Sequence, residues 1–220
     1  MIIYSMLRVI WLLLALYPSE SFRPIISRRS IVTSGLSLSL SKPIDEDGER
    51  IKSLINKVDN SLYFSGPLDD ESIFALSANV INLQRLRVPH IDLHLQSSGG
   101  SLLPSLGLVD LIRSSEIPIH TYINGYVASA ASLLSIVGTK RYMSKHSVML
   151  IHQLKMGTEF SKYNEIKDYY ENSETLMNII RDIYLDYSDL NATKLEYLLQ
   201  HDFWLNSSIC KEYNLVDEII

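Results

Sequence analysis

Cysteine is almost absent: Cys210 is the only one in 220 residues. A lone thiol excludes an intrachain disulfide framework, and no CxxC or Cys-His metal spacing exists, so Cys210 reads as a small apolar residue on a late helix. A basic stripe is lacking too. Lysine plus arginine total 20 against 25 acidic residues, a net charge of −5, and no basic run is interleaved with aromatics. Nothing here is built to hold a phosphate backbone, and no nucleic-acid partner is expected. Of six histidines only His90 and His94 are close neighbours. Asp92 lies between them, but a four-residue step on a strand separates side chains by about 13 Å, too far to share one metal. No metal and no bound cofactor are expected. The longest apolar run falls short of the roughly 20 residues a membrane-spanning helix needs, so no stable span is expected, and repeats and low-complexity tracts are missing.

What is present begins with a leader of distinct make-up. Arg8 precedes the apolar stretch Val9 to Tyr17, which suits a signal-peptide core, and Ser19-Glu20-Ser21 places small residues at alternate positions. Residues 1–21 therefore read as a candidate signal peptide. From Phe22 to Ile44 acidic residues are missing while Arg23, Arg28, Arg29 and Lys42 alternate with serines and threonines, giving a candidate transit peptide over 22–44. Signal followed by transit resembles the bipartite leaders of plastids of secondary endosymbiotic origin. A plastid is the expected destination, with a mitochondrial presequence or a plain secretory signal as alternatives. The charged stretch Asp45 to Arg50 belongs to a solvated lead-in over 45–60, and residues 61–220 form a single domain large enough for a sizeable core.

Within that domain, strand and helix patterns alternate. Leu62-Tyr63-Phe64 before Gly66-Pro67 reads as a strand, and Ile73, Leu76, Val80 and Leu83 recur at helical spacing. His90 to Leu95 alternates strictly, putting Ile91, Leu93 and Leu95 on one face. After Ser97-Ser98-Gly99-Gly100, Pro104 is expected to open a helix through Leu106, Val109 and Ile112. Ile117 to Ile123 reads as a strand, and Gly125 leads into a helix from Ser129 to Leu134 that Gly138 would end. Val148 to Ile151 suits a strand buried on both faces. This alternation predicts an α/β fold with mostly parallel strands, whose carboxyl-end loops carry sites. The longest helix is expected over Lys162 to Tyr187, with Ile166, Tyr169, Ser173, Leu176, Ile180, Ile183 and Tyr187 forming an apolar stripe that packs on something, such as another subunit.

Three residues carry candidate chemistry. Ser129 lies in the small-residue run Asn124-Gly125-Tyr126-Val127-Ala128-Ser129-Ala130, His152 ends an apolar strand, and Asp202 precedes Phe203-Trp204. A serine hydroxyl is a weak nucleophile that needs a neutral imidazole to take its proton, and a carboxylate fixes the imidazole's tautomer. Where a strand turns into a helix at Ser129, the Ala130 amide would face a developing oxyanion, and Gly100 in the glycine turn would supply a second amide. Singly, Ser129 also reads as a helix-packing residue, His152 as a core histidine and Asp202 as a surface carboxylate or cap.

Taken together, Ser97-Ser98-Gly99-Gly100, Gly125-Tyr126-Val127-Ala128-Ser129, Met149-Leu150-Ile151-His152-Gln153 and Glu212-Tyr213-Asn214-Leu215-Val216-Asp217 resemble the Clp family of serine peptidases. The resemblance runs from about Leu62 to Ile220. It implies a crotonase-like α/β fold of the ClpP type with the long helix as a handle, and a triad of Ser129, His152 and Asp202 with Gly100 and Ala130 as the oxyanion hole. It also implies stacked heptameric rings of this or related subunits, polypeptide substrates, and an AAA+ unfoldase that spends the ATP. Alternatives are a weakly active or structural subunit of a mixed ring, and a crotonase-type acyl-CoA enzyme, which would not need such a nucleophile. The chain departs from the family pattern at Leu154-Lys155, where Pro-Leu-Gly-Gly is common, at Val127, where Gln is usual, and at His201, where Arg is usual.

Overall fold

Strict apolar alternation sets the middle of the fold. In β3 (Ile91–Ser97) the side chains of Ile91, Leu93 and Leu95 are buried on one face, while Asp92, His94 and Gln96 turn to the other. The computed structural model describes residues 54–157 and 162–220, and the leader readings fall outside these described residues. The remaining strands are β1 (Leu54–Val58), β2 (Ser61–Ser65), β4 (Ile119–Ala128), β5 (Lys140–Met143), β6 (Val148–Leu150), β7 (Trp204–Asn206) and β8 (Glu218–Ile219). Their order is β1-β2-β3-β4-β5-β8, with β6 on β4 and β7 on β6. Only the β1–β2 and β6–β7 pairs are antiparallel. This is the α/β architecture that the alternation predicts. β1 forms inside the stretch read as a solvated lead-in: its side chains are mostly exposed, but its backbone pairs with β2.

Helices cover the apolar face. α1 (Asp70–Arg85) starts at a capping box in which Asp69 accepts from the Ser72 amide at 2.8 Å and the Asp69 amide donates to Ser72 Oγ at 2.9 Å. It buries Ile73, Leu76, Val80 and Leu83. α2 (Leu102–Arg113) begins two residues ahead of Pro104. The proline is tolerated because the first-turn amides have no intrahelical acceptor. α3 (Ala130–Ile136) is buried at every position, and α5 (Ala192–Leu199) and α6 (Ser207–Glu212, holding the buried Cys210) close the C-terminal side.

β4 does not end at Ile123 but runs on to Ala128, and this extension makes the site possible. Its first part, His120 to Ile123, pairs with β5, and its last part, Tyr126 to Ala128, pairs with β6. Gly125 sits between them at φ 86, a left-handed value that favours glycine. The buried Ser147 spans the bend, its Oγ accepting from the Gly125 amide at 2.8 Å and donating to the Ile123 carbonyl at 3.0 Å.

α4 (Tyr163–Asp186) matches the expected long helix, with a different division of labour along its stripe. Met177, Ile180, Ile183 and Tyr184 are buried within the domain. Ile180 and Ile183 therefore belong to this chain's own core and not to a subunit contact. The N-terminal half leaves Tyr163, Ile166 and Tyr170 exposed, at 83%, 51% and 66%. No helix among the described residues is long and apolar enough to cross a membrane.

The sheet face turned away from Ile91 and Leu93 carries stacked rings: Tyr63 on His94 at 4.3 Å, His94 on Tyr122 at 4.5 Å and Tyr122 on Tyr142 at 4.6 Å between centroids. At the far edge Trp204 meets Tyr126 edge-on, 6.2 Å between centroids.

Arg141 ties the C-terminal segment to this sheet. It donates to the Tyr187 and Asn214 carbonyls at 2.6 and 2.8 Å, and its Nε and Nη2 hold the Asp217 carboxylate. Burial alone would raise the Asp217 carboxyl, but the hydrogen bonds and charge of Arg141, with Lys211, hold it below the usual value. Arg141→Met should cost about 2 kcal/mol, less than a fully buried pair because Asp217 is partly solvated. A depressed carboxylate stabilises fully above about pH 4 and loses that increment as pH falls through its folded-state value. The gap in thermal midpoint between wild type and Arg141→Met should thus narrow toward acid, and a gap that widens there would contradict the assignment.

Candidate active site

Ser129 links β4 to α3 with φ 55 and ψ −131, a conformation that costs a non-glycine residue strain and exposes its side chain at a sharp strand-to-helix turn. Its side chain makes no capping bond to α3. Its amide donates to the Leu150 carbonyl at 3.0 Å, which fixes the nucleophile candidate to the end of β6 and so to the segment that carries His152. Its carbonyl accepts from Ser132 Oγ at 2.5 Å, and Ser132 Oγ lies 2.7 Å from the buried Tyr184 hydroxyl.

The glycine turn packs directly against this serine. A Cβ on Gly99 would fall 2.7 Å from Ser129 Cβ and 2.6 Å from the Ala128 carbonyl, so only glycine fits. Leu68 donates to the Gly99 carbonyl at 2.9 Å and accepts from the Ser101 amide at 2.7 Å. This parallel bridge leaves the Gly100 amide between them pointing to the opposite side. The Ala130 amide, first in α3, has no intrahelical acceptor.

Ser129, Ala130, Gly100 and His152 line one cavity of about 300 Å³, whose wall also includes Leu133, Lys155 and Tyr184. His152 is half-buried, and its Nδ1 lies 2.5 Å from the Gln153 carbonyl. A carbonyl only accepts, so Nδ1 carries the proton and Nε2 is left as the basic nitrogen. Burial first, and Lys155 in addition, hold the imidazole's pKa below its ordinary value against the opposing pulls of Gln153 and Asp202, so it is neutral at neutral pH.

Asp202 is the residue the structure does not bring in. It is largely exposed and pairs with Lys155 Nζ at 3.7 Å. Among the described residues no hydrogen bond joins Asp202 to His152 or His152 to Ser129 Oγ. The Gln153 carbonyl takes the place at Nδ1 that a triad carboxylate would occupy.

The profile of the Clp protease family matches residues 46–220. The chain belongs to the Clp protease family. Its mixed α/β domain is consistent with that family's crotonase-like fold. Among curated relatives, an ATP-dependent Clp protease proteolytic subunit of Bacteroides fragilis is 26% identical over 166 residues, covering 74% of this chain and 80% of the relative. One of the same name from Bacteroides thetaiotaomicron is 26% identical over 166 residues, covering 74% of this chain and 75% of its own.

The sequence pattern assigns no contact at the site to Ser132, Tyr184, the Gln153 carbonyl or the Lys155 ammonium. Tyr184 was legible as the fourth residue after Ile180 on a helical face; Gln153 acts through its backbone and leaves no signature. Nor does the pattern mark His120, which the sheet places beside Asp92, with His90 two residues along the same strand face.

Since Lys155 lowers the His152 pKa and engages Asp202, Lys155→Met should raise that pKa, seen as an upward shift of the His152 titration by NMR. An unchanged or lower value would show that Lys155 does not act on the imidazole.

Proposed function

We propose that this chain is a serine endopeptidase, the proteolytic subunit of an ATP-dependent Clp-type assembly. Ser129 Oγ attacks the peptide carbonyl while His152 Nε2 takes its proton; the amides of Gly100 and Ala130 hold the oxyanion. The C–N bond breaks as His152 returns the proton to the leaving amine. Water, deprotonated by the same imidazole, then releases the acyl group and restores the serine. The observation that supports this reading most is the strained Ser129 turn opening on the cavity that His152 and both amides share. Nucleophile, base and oxyanion donors all come from the chain, so the reading calls for no cofactor in this subunit and assigns ATP to a partner unfoldase.

A fluorophosphonate probe should label Ser129. Ser129→Ala should abolish labelling and peptide cleavage, His152→Ala should nearly do so, and Asp202→Asn should have an equal or milder effect. Labelling that survives Ser129→Ala would falsify the assignment. The Lys155–Asp202 pair favours a second reading, a subunit of a mixed ring that contributes little cleavage. On that reading Ser129 labels slowly, and Lys155→Met speeds it.

The proposed assembly is a pair of stacked rings gripping one another through α4, which supports short-peptide entry and the need for an unfoldase for folded substrates. Its physical support is the exposed Tyr163, Ile166 and Tyr170 on the half of α4 that the domain does not cover. Ile166→Asp with Tyr170→Asp should split the assembly in size-exclusion chromatography with light scattering while leaving the fold intact. Substituting Ile180 instead would test the core. If the double variant elutes with the wild type, α4 is not the grip.

A further inference from the structure

The sheet face opposite the apolar core carries a cluster that peptide cleavage does not use. His90 immediately precedes β3, Asp92 is its second residue, and His120 is the second residue of β4, directly paired with Asp92 in register. A two-residue step along one strand and one step across to its neighbour put all three side chains on the same face. Asp92 bridges the rings, with Oδ2 3.3 Å from His90 Nε2 and Oδ1 3.4 Å from His120 Nδ1. One donor atom from each residue can be chosen so that all lie within 4.8 Å of one another. Asp92 Oδ1 is shielded from solvent and accepts no hydrogen bond. His120 Nδ1 faces this oxygen at 3.4 Å, too long for a good hydrogen bond, and an ion between the two would satisfy both.

We propose that His90, Asp92 and His120 bind one divalent transition-metal ion of the zinc type. Two imidazoles and a carboxylate are a donor set that zinc favours and that magnesium and calcium, which take oxygen ligands, do not. A tetrahedral site with bonds of about 2.0–2.1 Å sets its ligand atoms roughly 3.3–3.4 Å apart. Asp92 keeps that separation from each ring through a different oxygen, so binding draws one carboxylate oxygen and both ring nitrogens in from within 4.8 Å of one another. The two rings are stacked, 5.0 Å between centroids and 21° between planes, so each must turn about its soft terminal torsion to aim at a common ion.

The surroundings hold the ligands in place. Asn60 grips the start of β3 from the β1–β2 turn, donating Nδ2 to the His90 carbonyl at 2.9 Å and accepting the Asp92 amide at 3.1 Å. The Tyr122 hydroxyl faces the Asp92 carboxylate and can orient it as a ligand. Lys140, opposite His120 on β5, opposes a cation, but it is exposed and its charge is screened. The cluster lies about 20 Å along β3 from the glycine turn. The ion would therefore pin the amino ends of β3 and β4 together without touching the catalytic groups. His94, four residues along the strand from His90, is too far to share an ion with it. The missing ligand comes from the neighbouring strand.

The experiment is zinc retention by untagged protein, stripped with chelator, equilibrated with Zn²⁺ alone and desalted. About one zinc per chain is expected. His90→Gln, Asp92→Asn and His120→Gln should each weaken binding at least about tenfold, and His146→Gln, on the exposed β5–β6 turn, should not. Substituted Co²⁺ should give the visible absorption of a tetrahedral site in the wild type and lose it in Asp92→Asn, a variant close in shape, with thermal midpoints in chelator checking the fold. His90→Gln, which changes the most exposed ligand, stands in if either of the others fails to fold. A wild type that retains no zinc carries only His–Asp ion pairs and overturns the proposal. So does zinc retained equally by wild type and all three ligand variants.

Discussion

The bend in β4 governs everything downstream of it. A straight strand would continue past the end of β5 without turning toward β6, which would then keep only β7 as a partner. Gly125 admits the left-handed turn, and Ser147 replaces the ladder bonds lost at the bend. The last three residues of β4 then take β6 as a new partner. Ser129 follows one strand and His152 the other, so their proximity results from this exchange of partners.

What the sequence discloses depends on how local the physics is. Strand β3 and helix α1 were legible because alternation and helical spacing are properties of a few adjacent residues, and the span of α4 was legible to within a residue at each end. The extension of β4 past Gly125 was not, because glycine next to a serine motif reads as a stop, and the bond that converts it into a bend comes from Ser147, far along the chain. At the site, Ser129, His152, Gly100 and Ala130 line one cavity. Asp202 was expected beside them, but its side chain follows Lys155, a contact between two solvated residues that no spacing rule encodes. His120 was invisible as a neighbour of Asp92 until the register of two parallel strands was fixed.

α4 shows how one periodic pattern can serve two environments. Its C-terminal half buries Met177, Ile180, Ile183 and Tyr184, and through Tyr184 and Ser132 it reaches the carbonyl of Ser129. Its N-terminal half presents aromatic and aliphatic side chains to solvent. A periodic stripe reports only that a face is apolar. Which part meets the chain's own core is decided by where the helix leaves the sheet.

The edge-on contact of Trp204 with Tyr126 gives the protein a built-in optical reporter. Trp11 and Trp204 are the only tryptophans, so within the described domain all indole emission arises from Trp204. That ring is half exposed, two residues from Asp202, on the strand that pairs with β6. Excitation absorbed by Tyr126 and the neighbouring phenols can pass to it, and any shift of the β6–β7 edge changes both its polarity and that transfer. Rearrangement around Asp202 thus has an intrinsic fluorescence signal that needs no label.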